Sequence, residues 1–327
     1  MVARAQGKDL VTIFGGSGFV GRHTVRALAK AGFRIRAASR RPDLAGHLQP
    51  MGNVGQIQPV QANLRYPASL RQAVEGAYGV VISVGILAAS GRQTFHALHV
   101  EGPRAIARAA REAGAKRLVL VSAIGADLKS RSTYARSKAE GEAAVLAEFP
   151  DAIIVRPSIV FGPEDDFFNR FAAMARMSPV LPLIGGGRTK FQPVYVGDVA
   201  AAVAAALDGA GEPGKIYELG GPEVLSFREL LDRTQKYADR RRPYMPLPFW
   251  LAKLQAILTW PLPNSLRPLT YDQVRLLERD NVVSGAAIKQ GRTLAALGVS
   301  APETVTAIVP RYLERFTPKG QYSHYRG

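Results

Sequence analysis

The sequence predicts an α/β fold in which a doubly wound parallel sheet carries a smaller C-terminal α/β lobe. Two observations lead to this prediction. Apolar runs alternate with amphipathic helical segments through residue ~160, as in the βαβ units of parallel sheets. A glycine-rich turn also joins the first apolar run to the first helix. We therefore expect a Rossmann-type nucleotide-binding core over residues 8–165. A C-terminal lobe over 166–316 would return a late strand and helix to that core, and 317–327 would form a flexible basic and aromatic tail.

Composition limits the classes of function that remain open. Hydrophobic residues make up 47% of the 327 residues, which is typical of a globular protein. Because the chain has no cysteine, it can supply neither a disulfide nor a thiolate ligand to zinc or iron–sulfur centres. No apolar run reaches the ~20 residues of a spanning helix, and the first apolar run is the first strand rather than a signal peptide. The net charge of +17 favours an anionic partner, although a generally basic surface is the alternative.

The first strand and its turn carry the clearest functional signal. An apolar run from Leu10 to Phe14 ends in glycines spaced three apart, Gly15, Gly18 and Gly21, and a helix follows. In a dinucleotide site the first glycine makes the tight turn, the second admits the pyrophosphate and the third lets helix and strand pack closely. The helix N-terminus then offers N–H groups and a partial positive charge to the phosphates. The pattern predicts a dinucleotide site rather than a plain tight turn.

The end of the second strand predicts which dinucleotide binds. An NAD site places an acidic residue about 20 residues after the glycines, where it binds the ribose 2′-hydroxyl. This chain has Ser39, Arg40 and Arg41 there instead. Since arginine accommodates a 2′-phosphate, we expect NADP(H), the alternative being that both arginines only contribute to a basic surface. The residues expected to contact the cofactor are Gly15, Gly16, Ser17, Gly18, Phe19, Val20, Gly21, Ser39, Arg40, Arg41, Asn63, Leu64, Val84, Gly85, Val121, Ser122, Tyr134, Lys138, Pro157 and Ile159.

A tyrosine and a lysine four residues apart form the candidate catalytic pair. Tyr134 and Lys138 share one face of a helix that follows the fifth strand. A nearby ammonium, helped by the positive nicotinamide, favours phenolate, so we expect Lys138 and the cofactor to lower the tyrosine pKa from ~10. The phenol would then transfer a proton while the cofactor transfers a hydride. Ser122, at the end of the fifth strand, is the candidate for polarising a substrate carbonyl.

Three other features have alternative interpretations. His96 and His99 are three apart on a helix expected over 93–112, but no third ligand is evident, so we expect packing or surface roles and no metal. The acidic run from Glu164 to Asp166 is either a helix start, which we favour, or a catalytic carboxylate cluster. An arginine run at 240–242 leads into the apolar segment from Phe249 to Trp260. That segment is either an interfacial helix on an anionic membrane or a helix packed on the C-terminal lobe.

These motifs resemble the short-chain dehydrogenase/reductase superfamily in its extended or atypical, epimerase/dehydratase-like branch. The matching residues are the glycine triplet, Tyr134 with Lys138, Arg156-Pro157 and Asp198-Val199. The resemblance implies that the serine or threonine at the end of the fifth strand polarises the substrate carbonyl. Ala123 departs from the pattern, because active relatives commonly carry a second hydroxyl there.

A closer resemblance is to the nucleotide-binding accessory subunits of respiratory complex I. It rests on residues 119–142, 153–169, 191–196 and 269–283. It implies tightly held NADPH, no turnover, other complex I subunits as partners, and a position near the quinone site where the peripheral and membrane arms meet. Lacking a mitochondrial presequence, the chain would be peripheral on the cytoplasmic face of a bacterial inner membrane. The alternative is an active NADP-dependent reductase or epimerase. Nucleic acid is not expected, because no recognition motif accompanies the charge.

Overall fold

The computed structural model describes residues 8–259, 269–318 and 320. Its strands are β1 (Lys8–Phe14), β2 (Phe33–Ser39), β3 (Ile57–Gln61), β4 (Gly79–Ile82), β5 (Arg117–Val121), β6 (Ile153–Pro157), β7 (Val160–Phe161), β8 (Leu181–Ile184), β9 (Lys190–Phe191), β10 (Val194–Tyr195), β11 (Ile216–Leu219), β12 (Leu225–Ser226) and β13 (Tyr244–Leu247). Its α-helices are α1 (Phe19–Lys30), α2 (Pro67–Val74), α3 (Gly102–Glu112), α4 (Thr133–Glu148), α5 (Phe167–Met177), α6 (Val196–Leu207), α7 (Phe227–Tyr237), α8 (Phe249–Leu258), α9 (Tyr271–Leu276), α10 (Gly285–Lys289) and α11 (Val305–Leu313).

Seven of these strands form one parallel sheet. Their order is β11-β6-β5-β4-β1-β2-β3, and every neighbouring pair is parallel. The chain runs outward from β1 through β2 to β3 and then returns to the other side of β1 as β4. The carboxyl ends of β1 and β4 therefore flank the point where the winding reverses, which is where such sheets bind ligands. The predicted Rossmann-type fold is confirmed.

The sheet belongs to the first of two compact units, which comprises residues 8–157, 197–219 and 284–301 of the described chain. The central strands β4 and β5 are almost entirely buried because helices cover both faces of the sheet. Val80, Ile82 and Ile154 are completely buried, and α3 packs Ile106 and Ala110 into the same core. This core fixes the strand ends, from which the loops of the candidate site project.

The second unit comprises the described residues of 158–196, 220–283 and 302–327. Its strands pair two by two: β10 with β7, β12 with β9, and β13 with β8. Its core contains a cluster of phenylalanines, in which the rings of Phe167 and Phe227 contact edge to face at 6.0 Å. A capping box between Ser226 and Glu229 begins α7.

Several element boundaries differ from the sequence-based expectations. The helix expected over 93–112 contains a π-helical turn, His96–Glu101, before α3. A 3₁₀ segment, Pro42–Met51, was not expected. The sequence pattern also predicts a helix over 269–280, and in the structure the helix there is limited to α9. The acidic run does begin a helix, because a carboxylate oxygen of Asp165 accepts the backbone N–H of Phe168 at 2.7 Å. Trp260 and most of the predicted tail lie outside the described residues.

Candidate functional site

The glycine turn after β1 forms a backbone crevice. Gly15 has φ +84°, and a Cβ on it would lie 2.7 Å from the carbonyl oxygen of Ser83. A Cβ on Gly21 would collide with the carbonyl oxygen of Gly15, so helix and turn pack without space for a side chain. Gly18 precedes α1, and no side chain caps this helix terminus. The result is a helix N-terminus with exposed donors, which fits a pyrophosphate.

The residues around this turn have structural contacts of their own. A Cβ on Gly16 would lie 3.0 Å from Ile13, and the carbonyl oxygen of Ser17 accepts a hydrogen bond from Arg22 at 3.2 Å. Phe19 and Val20 are the first two residues of α1. The structure therefore brings the predicted residues 15–21 together in one turn, at the carboxyl end of β1.

The end of β2 distinguishes the two arginines that follow it. Arg41 forms an ion pair with Asp43 at 2.8 Å. Arg40 is exposed and has no ion-pair partner among the described residues. The buried hydroxyl of Ser39 also lacks a hydrogen-bond partner within the described chain. Because buried polar atoms in proteins are normally satisfied, the Ser39 hydroxyl has the unused bonding capacity that a ligand phosphate would require, and Arg40 beside it carries a charge that no described carboxylate neutralises.

The loops after β3 and β4 place the next predicted residues. The side chain of Asn63 accepts the backbone N–H of Arg65 at 3.1 Å, which shapes its own loop. Leu64 packs against Gly102, the first residue of α3. Val84 packs on the apolar core. Gly85 faces the helix that carries Tyr134 and Lys138, since a Cβ on Gly85 would lie 3.4 Å from Nζ of Lys138.

The remaining predicted contacts divide between the two units. Val121 is the last residue of β5, and its carbonyl oxygen lies 3.4 Å from Nζ of Lys138. Pro157 ends β6 in the first unit. Ile159 belongs to the second unit, where its N–H donates to the Asn281 side chain at 3.1 Å.

Tyr134 and Lys138 lie on one face of α4, as predicted. The Lys138 ammonium is 5.9 Å from the centroid of the Tyr134 ring and is almost fully buried. The protein's own groups do not produce the expected lowering of the tyrosine pKa. Burial raises the pKa of Tyr134 to about 12. Burial also lowers the pKa of Lys138 to about 8, because the charged form loses its hydration. Desolvation therefore outweighs the attraction between phenolate and ammonium.

Ser122 is already engaged by a buried ion pair. Its hydroxyl donates to the carboxylate of Glu142, a residue of α4 that is 3% exposed. The guanidinium of Arg156 holds the same carboxylate through two hydrogen bonds of 2.9 and 2.5 Å. A serine hydroxyl has only one proton to donate. In this arrangement Ser122 consequently has none to offer a substrate carbonyl.

His99 is the site residue that sequence reasoning missed. Its Nε2 accepts the backbone N–H of Ile86 at 3.1 Å, so the proton must lie on Nδ1, which contacts the hydroxyl of Ser137 at 2.9 Å. The imidazole stacks on Phe95 and meets the Tyr134 ring edge to face at 5.4 Å. Burial and the charge of Lys138 lower the pKa of His99 to about 3. The available signal was the aromatic residue four positions before it on the same helix.

Helix α8 is two-sided. Ala252 and Ala256 are buried, so one face packs within the second unit. The other face is an exposed apolar stripe with exposed fractions from 44% to 71%, formed by Trp250, Leu254, Ile257 and Leu258. None of the described helices combines the length and the hydropathy needed to cross a bilayer. Within the described chain, no group of three histidine or acidic side chains is arranged to hold a metal.

Comparisons with known proteins agree with this geometry. The model of the NAD dependent epimerase/dehydratase family matches residues 11–220. Subunit 9 of the alpha subcomplex of the mitochondrial NADH dehydrogenase (ubiquinone) of Arabidopsis thaliana is 37% identical over 291 residues, which cover 86% of this chain and 72% of that protein. A ceramide reductase of Caulobacter vibrioides is 38% identical over 198 residues, or 61% of each chain.

Solved structures show the same fold. The NADPH-dependent quinone oxidoreductase of Escherichia coli, complexed with NADPH, superposes with a TM-score of 0.70 at 22% identity. The match covers 91% of this chain and 97% of that one. From the matched family and the identity to the plant subunit, this chain belongs to the NAD-dependent epimerase/dehydratase family and, within it, to the alpha subcomplex subunit 9 family of accessory subunits of respiratory complex I.

Proposed function

We propose that this chain is a non-catalytic, NADP(H)-holding accessory subunit of respiratory complex I. In this role it stabilises the junction of the peripheral and membrane arms near the quinone site. The observation that carries the proposal is the contrast between two parts of the first unit. The glycine turn is built for close backbone approach, whereas the Ser122 proton is donated to Glu142. The chain thus has a backbone turn suited to a dinucleotide, while the Ser122 hydroxyl, the candidate for polarising a substrate carbonyl, has no free proton for that role.

Each part of the cofactor has a candidate partner. The N-terminus of α1 would hold the pyrophosphate, and Arg40 with Ser39 would hold the 2′-phosphate, supported by their unused bonding capacity. Lys138 would hold the ribose hydroxyls of the nicotinamide half, supported by its position between Gly85 and Val121. When bound, NADP(H) supplies a hydride donor or acceptor. In an accessory subunit it would instead stabilise the fold around it by mass action.

The proposed partners are other complex I subunits and an anionic membrane surface. The relatives named as subunits of NADH dehydrogenase support the first. The charge of +17 and the apolar stripe of α8 support contact between 249–260 and anionic lipid headgroups. We place the chain as a peripheral protein on the cytoplasmic face of a bacterial inner membrane.

Co-purification tests this proposal directly. Native membranes are solubilised in mild detergent and separated on a native gel, and the chain is located by an antibody. We expect it to migrate with a large assembly that oxidises NADH, and to release NADPH rather than NADH when the isolated band is denatured. A chain that migrates alone from membranes in which that assembly is intact contradicts the proposal.

The second candidate is an active NADP-dependent reductase using Tyr134 and Lys138. The 38% identity to a ceramide reductase favours it. NADPH oxidation by the purified chain is measured with candidate carbonyl substrates. Turnover that Tyr134→Phe abolishes, and that the same change at the exposed Tyr66 preserves, would replace the accessory role with this one.

A further inference from the structure

The second unit contains a small apolar cavity beside a tight glycine turn. Residues 185–187 are three consecutive glycines with φ between +58° and +71°. The ring of Phe249 packs so closely over Gly185 that a Cβ there would collide with it. Leu247 and the two prolines on either side of it line the opposite wall. The cavity is largely open to solvent and has a volume of about 370 Å³.

One unpaired cation lies at the rim of this cavity. Arg188 lines it and is exposed, and no carboxylate among the described residues pairs with it. Its Nε is 3.8 Å from the position of a Cβ on Gly186, so the guanidinium extends over the glycine turn. A guanidinium binds phosphate oxygens through parallel N–H donors. The cavity therefore combines apolar walls with one anion-binding group.

The mouth of the cavity adjoins the apolar stripe of α8. Phe249, a wall residue, is the first residue of that helix, and the exposed stripe begins one residue later at Trp250. At the other end of β13, Arg240, Arg241 and Arg242 add positive charge. Basic groups beside an exposed apolar helix face are typical of proteins that lie in the headgroup layer of an anionic membrane.

From these observations we infer that the cavity between the glycine turn 185–187 and Phe249 binds one anionic phospholipid, with its phosphate on Arg188 and part of an acyl chain against Leu247 and Phe249. The inference rests on the membrane association in the proposed function. A free phosphate uses only Arg188, and a purely apolar ligand leaves that cation unpaired. An anionic amphiphile satisfies both parts of the cavity.

Binding of a single lipid is measured with the full chain and dihexanoyl phosphatidylglycerol, kept below its critical micelle concentration. Native mass spectrometry gives the stoichiometry, and the fluorescence of the two tryptophans gives the affinity. We expect one lipid per chain. Arg188→Ala should weaken binding by at least about tenfold, the loss expected for one charge-assisted hydrogen bond. Arg26→Ala, which removes another exposed arginine, in the first unit, should leave the affinity unchanged.

Two further probes decide the chemistry of the ligand. Dihexanoyl phosphatidylcholine should bind more weakly, and inorganic phosphate should not displace the bound lipid at equal concentration. Equal affinity of Arg188→Ala and the wild-type chain overturns the inference, and so does equal binding of the choline lipid or displacement by phosphate.

Vesicles separate this inference from the proposed function. If the wild-type chain and Arg188→Ala bind vesicles containing phosphatidylglycerol equally, and the short-chain lipid does not distinguish them, the cavity site is wrong and membrane association stands. If the wild-type chain ignores such vesicles but binds the short-chain lipid through Arg188, membrane association is wrong and the lipid site stands.

Discussion

The hydroxyl of Ser122 and the carboxylate of Glu142 form a hydrogen bond that joins the end of β5 to α4. Arg156, at the end of the neighbouring strand β6, grips the same carboxylate. The strands β5 and β6 and the helix α4, which carries the candidate catalytic pair, are thus connected through one buried carboxylate. The network holds α4, and with it Tyr134 and Lys138, in a fixed position relative to the sheet. It serves positioning and leaves Ser122 unavailable for proton donation.

Removing the cation of this network should be costly. In Arg156→Leu the Glu142 carboxylate stays buried without its charged partner, so we expect a loss of about 3–5 kcal/mol in the free energy of unfolding. Urea denaturation at neutral pH measures it. Arg104→Leu breaks the exposed 2.9 Å pair with Glu101 and should cost less than about 1 kcal/mol. Equal costs for the two variants would show that the burial of Glu142 does not matter energetically.

His99 should make the fold sensitive to acid. Its pKa in the folded chain is about 3, below the ordinary value of 6.5. Between these two pH values the unfolded chain binds a proton that the folded chain does not, so stability falls as pH falls through this window. The full shift corresponds to roughly 5 kcal/mol. Its contribution is present above pH ~6.5 and is lost progressively towards pH ~3.

The variant His99→Gln tests this dependence, because its side-chain oxygen can still accept the Ile86 N–H while the side chain cannot titrate. Free energies of unfolding are measured from pH 7 down to pH 4. We expect the gap between variant and wild type to shift in favour of the variant as the pH falls. His47→Gln, a change at an exposed histidine, should leave the pH dependence of the free energy of unfolding as in the wild type. If the free energies of unfolding of His99→Gln and the wild type fall in parallel as the pH falls, the buried imidazole is not neutral in the folded chain.

The parts of the fold that the sequence predicted depend on local patterns. The glycine turn, the strand run from Leu10 to Phe14 and the Tyr134–Lys138 spacing are readable because their determinants lie within a few residues. The engagement of Ser122 was not readable, since its partner lies 20 residues away and depends on how α4 packs. The direction of the Tyr134 pKa shift was not readable either, because burial, which spacing does not reveal, raises this pKa more than the nearby charge lowers it.

The second unit was the harder part to predict for a different reason. Strands of two residues, such as β9 and β12, are too short to show an alternating pattern. The π-turn at His96–Glu101 likewise arises from packing. Gly141 of α4 approaches the carbonyl oxygen of His99 so closely that any side chain there would collide with it. Such contacts between distant residues leave no periodic signal in either segment.

Gly21 should tolerate no side chain. Its Cβ would overlap the Gly15 carbonyl oxygen, so Gly21→Ala must shift α1 away from the turn. We expect destabilisation of about 1–3 kcal/mol, as for other overpacked sites, together with a loss of NADPH affinity. Thermal unfolding with and without NADPH measures both effects. Gly46→Ala, where nothing lies within 4 Å of the new Cβ, should leave both properties unchanged. An intact NADPH-induced shift in Gly21→Ala would indicate that the cofactor binds elsewhere.

The two adjacent arginines after β2 provide a matched pair for the cofactor preference. Arg40 lacks an ion-pair partner among the described residues, whereas Arg41 is held by Asp43 at 2.8 Å. We expect Arg40→Asp to weaken NADPH binding at least about tenfold, because it replaces a charge-assisted contact with repulsion of the 2′-phosphate. NADH, which has no 2′-phosphate, should bind as well or better, since the new carboxylate can accept its ribose hydroxyl.

Arg41→Asp changes the net charge equally and should weaken NADPH binding much less, because Asp43 already neutralises this arginine. Titration of the nicotinamide fluorescence gives the dissociation constants of NADPH and of NADH for each of the two variants. Equal losses in the two variants would mean that only the overall charge of this edge matters. An unchanged NADPH affinity in Arg40→Asp would mean that other residues hold the 2′-phosphate, and the preference for NADP(H) would no longer follow from the end of β2.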